Sequence, residues 1–311
     1  MSSSPDRAFA ALGMILIYAA LIGFADNFVR VVAAEAGLWQ FHAFRSAIAL
    51  PLIALIAMAL RHRFLPRNRG AVAARSAIHG LAMLVYFGAL AFLPVAIVAA
   101  GLFTAPMFVL LIARLVYNEP ISPVQIIAVL TGFGGVILLL GPSAMAGASV
   151  AALLPVLAGA LYAMGNIATR RWCPDETAET LLAGFFMALL VLGCLGLVIL
   201  ALIPQAAPDG TAGFILRGWV VPSPTFLFWV SIQAVVSVIG VGLMIRAYQI
   251  APAATVSVFE YAILPISAIW GLLIWAEQLT LSAIVGMGLI ALAGAVIALA
   301  PVQPSPTAAR Q

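Results

Sequence analysis

Apolar residues along this chain run in blocks of about twenty, the length of helix that crosses the hydrocarbon core of a bilayer. Short polar or proline-marked breaks separate them. Ten blocks are found, at approximately 9–33, 38–60, 72–92, 95–116, 121–141, 150–171, 178–203, 225–250, 253–275 and 281–300. Pro94 divides the third from the fourth, Asn118-Glu119-Pro120 the fourth from the fifth, Pro252 the eighth from the ninth, and Glu277-Gln278 the ninth from the tenth. Connections this short make neighbours antiparallel hairpins, and a count of nine or eleven stays open where one proline marks the boundary. Arg7, the first block and Ala34-Glu35-Ala36 mimic a secretory leader. The block is longer than a leader's apolar core, however, and Asp26, Asn27 and Arg30 stand where leaders are uncharged, so it is read as a span.

Composition sharpens the picture. Of 311 residues, 65% are hydrophobic and 8% charged, with a mean hydropathy of +1.19. A soluble domain of this length has about a quarter charged residues, so the composition excludes cytosolic enzymes, secreted disulfide modules and nucleic-acid binders. All fourteen basic residues are arginine. Without lysine there is no nucleotide-binding P-loop and no Schiff-base chemistry. Cys173 and Cys194 lie about 30 Å apart if the segment between them is helical, which precludes a disulfide within that helix. Their spacing fits no metal motif, and no cofactor is expected.

Arginine also orients the chain. With both termini cytoplasmic, Arg61, Arg63, Arg67, Arg69 and Arg75 fall in or beside one cytoplasmic loop. Arg7, Arg114, Arg170, Arg171, Arg246 and Arg310 fall on the same side, against Arg30 and Arg217 near the other. This is the bias of the positive-inside rule. The halves of the chain echo each other. Pro94 and Glu119 stand 25 residues apart, as do Pro252 and Glu277. Pro106 corresponds to Pro265 after a one-residue slip, GVILLLGP at 135–142 matches GAVIALAP at 294–301, and Asp26 and Arg30 fall opposite Asn166 and Arg170. Five spans per copy is an odd number, so the second copy enters the membrane inverted, with Glu119 cytoplasmic and Glu277 periplasmic. Inverted repeats can exchange conformations and so alternate access to a central site.

The five-plus-five plan, the repeated Pro-to-Glu span and Arg45 early in the second helix resemble the drug/metabolite transporter superfamily. Within it the chain looks like the ten-helix EamA-type exporters of bacteria, and is particularly similar to amino-acid exporters. The resemblance implies an all-α basket around a central cavity, with the fifth helix of each half packed outside. The expected organisation is a cytoplasmic segment at 1–8, a first five-helix repeat at 9–142, an inverted second repeat at 143–301 and a disordered cytoplasmic tail at 302–311. The expected location is the bacterial inner membrane.

Ionisable groups inside spans are costly and face partners or water. Asp26 and Arg30 are four apart and can pair. Arg45, about 9 Å deep, can reach Asp26 as a clamp between helices, or offer its fork to a substrate carboxylate, with His42 a turn above it. Glu260 and His79 lie at similar depths near the cytoplasmic side. They read as a proton handle, an inner-gate latch, or a glutamate reaching Arg246. Asn27, Tyr86, Thr104, Tyr162, Asn166, Gln233, Ser237 and Tyr261 are spread over facing helices as cavity-lining candidates. Pro106 and Pro265 sit inside helices and permit kinks. Gly132, Gly134 and Gly135, with Gly286, Gly288 and Gly294, permit close packing between the halves or in a homodimer. Trp39, Trp219, Trp229, Trp270 and Trp275 read as an aromatic belt.

This mix of one acid, one base, hydroxyls and amides favours a secondary exporter of amino acids or related small polar metabolites by alternating access. The alternative is export of cationic drug-like compounds by proton antiport, with Glu260 as the central acid. An intramembrane enzyme is disfavoured. No HExxH occurs among His42, His62 and His79, Ser76 beside His79 has no glycine-framed nucleophile motif, and only Asp26 qualifies as a buried aspartate.

Overall fold

The computed structural model describes residues 5–90, 93, 95–141 and 150–299. The Pro94 junction, the repeat boundary at 142/143 and the tail at 302–311 lie outside the described residues. Thirteen helices are found among those described: α1 (Pro5–Asp26), α2 (Val29–Glu35), α3 (Leu38–Ala59), α4 (Arg69–Ala89), α5 (Val95–Leu102), α6 (Ala105–Leu115), α7 (Pro123–Leu140), α8 (Leu153–Arg171), α9 (Ala178–Leu202), α10 (Pro224–Ile250), α11 (Ala253–Phe259), α12 (Ile263–Trp275) and α13 (Leu281–Leu299). They form ten spans long and apolar enough to cross a membrane, matching the ten sequence blocks to within a few residues. The first begins earlier than its apolar block, because Pro5 at the helix start and Asp6 in the first turn favour initiation there.

Caps set the ends. The side chains of Asn68, Ser122, Thr177 and Ser223 accept hydrogen bonds from Ala71, Gln125, Thr180 and Phe226 amides, starting four helices just outside their apolar runs. Ser122 and Gln125 complete a reciprocal capping box. Three spans are interrupted. The first breaks at Asn27–Phe28 between α1 and α2, and the fourth at Phe103–Thr104 between α5 and α6. The ninth passes through a single 3-10 turn, Glu260–Ala262, between α11 and α12. Pro106 and Pro265 follow the second and third of these breaks. They stand in the first turn of α6 and α12, where a missing amide costs no helical bond.

Helix neighbours have the symmetry of a duplication. α1 packs on α10 and α12, and its counterpart α8 packs on α4 and α6. α3 pairs with α9 and α7 with α13, so that exchanging the halves maps the arrangement onto itself. In the last pair the backbones touch. A Cβ built on Gly135 would lie 2.7 Å from Gly286 O, and one on Gly286 2.5 Å from Gly135 O. A Cβ on Gly134, Gly288 or Gly294 would meet nothing within 4 Å. Outward-facing leucines such as Leu195, Leu273 and Leu292 stay exposed, as a lipid-facing surface requires. All five tryptophans read as a belt have partners, Trp219 through the Phe44 ring at 5.6 Å. Trp39 and Trp270 donate to Ile215 O and Ala20 O, Trp229 stacks on Phe28, and Trp275 lies under Arg30. Trp219 is 61% exposed, as a belt residue would be.

Candidate substrate cavity

The basket encloses a cavity of about 850 Å3. At one end it reaches Arg30, Ala33, Gly141 and residues 277–280, on the face opposite the start of α1 and the end of α13. We call this the mouth face, and the face with those helix ends the termini face. Towards the termini face the cavity stops at Arg75, Tyr162, Met244 and Glu260. Below that floor, contacts between connections close the structure. Glu176 accepts 2.7 Å bonds from the Arg67 and Asn68 amides, and the Thr177 and Thr180 hydroxyls donate to Arg63 O. Gln249 donates to Glu176 O and Arg170 to Ala251 O.

Asn27, Arg45, His79, Tyr86, Tyr162, Gln233 and Ser237 line the cavity, together with Asp26, Glu260 and Pro106. Thr104, Asn166, Tyr261 and Pro265 do not. Thr104 turns back to Gly101 O at the break in the fourth span. Asn166 stands behind His79, accepting from its Nε2 at 3.0 Å. Tyr261 is fully buried against α7, where its ring occupies the space a Gly132 side chain would need.

Pairings differ from those that spacing suggests. Arg30 meets Glu277 at 3.3 Å instead of Asp26, because the break at Asn27–Phe28 destroys the i, i+4 register between them. Asp26 is exposed, on the cavity wall, and has no ion pair among the described residues. Arg45 is buried on the α3 side. Its Nη2 lies 3.4 Å from His42 Nδ1, and its guanidinium carbon sits 4.8 Å from the Phe41 ring centre and 5.8 Å from those of Phe87 and Phe186. Its Nε has no hydrogen-bond partner among the described residues.

Glu260 pairs with neither His79 nor Arg246, which contacts Gln249. Tyr162 stands between the expected partners: its ring is edge-on to His79 at 5.4 Å, and its hydroxyl donates to Glu260 Oε1 at 2.6 Å. Tyr248 donates to the other oxygen at 2.5 Å. Asn27 and Gln233 serve the break in the first span. Asn27 Nδ2 donates to Gly23 O at 2.7 Å and to Ser267, and Gln233 Nε2 to Ala25 O at 2.7 Å.

Sequence reasoning missed several cavity groups. Arg75 counted there as a loop arginine, yet it is 1% exposed inside α4 and lines the floor. Its Nε donates to Thr169 Oγ1 and its Nη1 to Leu181 O. Its place inside the apolar block 72–92, rather than before it, could have shown this. Tyr18 and Ser267, with Gln278, Thr280 and Ser282 at the mouth, are further polar lining residues missed, and aromatic Phe87, Phe103, Phe185 and Phe214 join them.

Residues 9–141 match the EamA-like transporter family. An uncharacterized transporter of Helicobacter pylori is 25% identical over 291 residues, covering 93% of this chain and 94% of that protein. Riboflavin transporters of Rhizobium johnstonii (25% over 283 residues, 87% and 85% covered) and Brucella anthropi (27% over 222 residues, 70% and 72%) are also similar. A solved crystal structure, 18% identical, shares the fold over 100% of both chains with a TM-score of 0.73. The relatives named for a substrate are named for riboflavin, and the narrower likeness to amino-acid exporters finds no support in them. With transporters as relatives over nearly its whole length, the chain is a multi-pass membrane protein and a transporter rather than an enzyme, and over residues 9–141 it is similar to the EamA-like transporter family.

Proposed function

We propose that the protein moves a planar heteroaromatic metabolite bearing several hydroxyl groups, of about flavin size, across the bacterial inner membrane by alternating access. The observation that carries this reading is the cavity itself. Its volume of about 850 Å3 lies in the range of sites that enclose ligands of drug size, roughly 300–1,000 Å3. A free amino acid would leave most of it to water. Its walls offer the rings of Tyr18, Tyr86, Phe87, Phe103, Tyr162 and Phe185, suited to stacking and edge contacts with a ring system. Asp26, Gln233 and Ser237 supply acceptors and donors for hydroxyls. The riboflavin transporters among the relatives support the same substrate class. The arginines at 61–75 support an orientation with both termini cytoplasmic, and Glu260 is the residue to which we assign any proton coupling.

Asp26 and Arg45 favour a second reading, the amino-acid exporter. They are opposite charges lining the same cavity, and Arg45 keeps an unpartnered Nε, as a zwitterion would require. Proteoliposomes loaded with radiolabelled riboflavin, a panel of amino acids or tetraphenylphosphonium, with and without a proton gradient, separate the possibilities. Saturable riboflavin flux above protein-free liposomes is expected. Amino-acid flux without riboflavin flux would replace the flavin reading with the zwitterion one. Proton-driven movement of the lipophilic cation alone would replace both with the antiporter.

A further inference from the structure

The structure contains the same three-residue turn twice, once at each face. Tyr117-Asn118-Glu119 follows α6, one residue beyond its cap Val116, and Trp275, the last residue of α12, is followed by Ala276-Glu277. The middle residue is left-handed in both, with φ 51° at Asn118 and 54° at Ala276, although neither is glycine. The glutamate amide then closes the turn onto a carbonyl six residues back, Glu119 to Ala113 O at 2.9 Å and Glu277 to Gly271 O at 3.3 Å. Left-handed residues often close helices, and Arg61 beyond α3 is another (φ 54°), so what sets Asn118 and Ala276 apart is the matching pair of side chains that flank them. The turn sets an aromatic ring and a carboxylate beside one incoming cation.

An arginine occupies both settings. Arg30, on α2 of the first span, lies 3.7 Å over the Trp275 ring and 3.3 Å from Glu277. Arg171, at the end of α8 in the sixth span, lies 4.9 Å over the Tyr117 ring and forms an ion pair with Glu119. Each arginine belongs to the opening span of one half, and each turn to the other half. Each clamp therefore ties the halves together, the Arg30 clamp at the mouth face and the Arg171 clamp at the termini face. The cavity reaches the Arg30 clamp, since Arg30 and Glu277 both line it, and does not reach the Arg171 clamp.

We propose that these two clamps, both engaged in the conformation described, are gate latches: the Trp275–Arg30–Glu277 clamp opposes further opening at the mouth face and the Tyr117–Arg171–Glu119 clamp opposes opening at the termini face. The inference rests on the alternating-access reading, though not on the flavin substrate. A substrate entering from the mouth must pass Arg30 and Glu277, and leaving at the other face requires the halves to part where Arg171 holds Glu119. Both pairs are exposed, with side chains between 40% and 56% accessible, so water weakens them. Weak latches suit a gate that has to release in every cycle.

The test needs no transported substrate. A reporter cysteine replaces Ser237 on the cavity wall, with Cys173→Ser and Cys194→Ala removing the native thiols, and a charged, membrane-impermeant methanethiosulfonate is added to one side of oriented vesicles or to the other. Glu277→Gln is expected to raise the labelling rate from the mouth side two- to fivefold and lower it from the termini side. Glu119→Gln is expected to do the reverse. Arg171→Gln should reproduce Glu119→Gln, and combining Arg171→Glu with Glu119→Arg should return the rates towards those of the parent. Two clamp variants that shift labelling in the same direction, or leave it unchanged, would overturn the proposal. A parent reporter labelled from one side only would instead overturn alternating access itself. A misfolded variant is recognised by loss of a monodisperse peak, and the charge-swapped pair then still decides the case.

Discussion

The cavity holds two charged stations built on opposite plans. At Glu260 the carboxylate is 5% exposed and each oxygen has a tyrosine donor, Tyr162 from α8 and Tyr248 from α10. At Arg45 a guanidinium with five donors has one long contact to a histidine, three aromatic rings around it and an idle Nε. Asp26 belongs to the second plan, as a carboxylate exposed on the wall without an ion-pair partner among the described residues. A satisfied buried charge holds its neighbours, since removing it strands them. An unsatisfied one leaves hydrogen-bonding capacity for something that arrives. Glu260 therefore belongs to the frame joining α8, α10 and the ninth span, and Arg45 and Asp26 belong to the contents.

The contrast breaks or holds on measurements that separate stability from affinity. The largest stability effect is expected from Glu260→Ala, which takes the acceptor from the buried Tyr248 hydroxyl at about 1–3 kcal/mol, while Tyr162 keeps its contact to Met244 Sδ. The thermal midpoint of Glu260→Ala in detergent should fall by several degrees, and that of Tyr248→Phe by less. Arg45→Ala should leave the midpoint close to that of the parent and weaken substrate binding about tenfold or more, the scale of a lost charge-assisted contact of 1.5–3 kcal/mol. Arg45→Lys should weaken it too, because an ammonium lacks the planar fork. A fall in midpoint for Arg45→Ala as large as for Glu260→Ala would mean that Arg45 clamps helices. The smallest effect is expected from Asp26→Asn, a two- to fivefold change in affinity with no change in midpoint, since no ion pair is lost. Titrating binding by tryptophan fluorescence alongside each melt checks all three.

Span positions were legible because length and apolarity are properties of a continuous segment. The matched Pro-to-Glu intervals announced the duplication, and Pro106 and Pro265 pointed at two of the three interruptions. The break at Asn27–Phe28 carries no proline, and its ties run to Ser267 and Gln233, more than two hundred residues away in sequence. The inward face of each helix was harder to read, because lipid and protein interior are both apolar and leave little contrast around the helix. Thr104, Asn166 and Tyr261 were therefore grouped with wall residues although their side chains point elsewhere. Tyr248, two spans on from Tyr162 and across the Pro252 hairpin from Glu260, is invisible as a partner until the chain is folded. Arg75 was lost to a counting rule that treats arginines near span ends as loop residues.

Glu176 holds the 61–68 connection by its main chain, accepting from the amides of Arg67 and Asn68 rather than from their side chains. A seal of that kind is indifferent to the side chain at 67, provided it is not proline, and sensitive to how many residues precede it, while Asn68 is held to its identity by its cap on α4. Over evolutionary time such a connection, its capping asparagine apart, is free to change its letters but not its length. Scanning it by single-residue deletion should do far more damage to closure than scanning the same stretch with alanine.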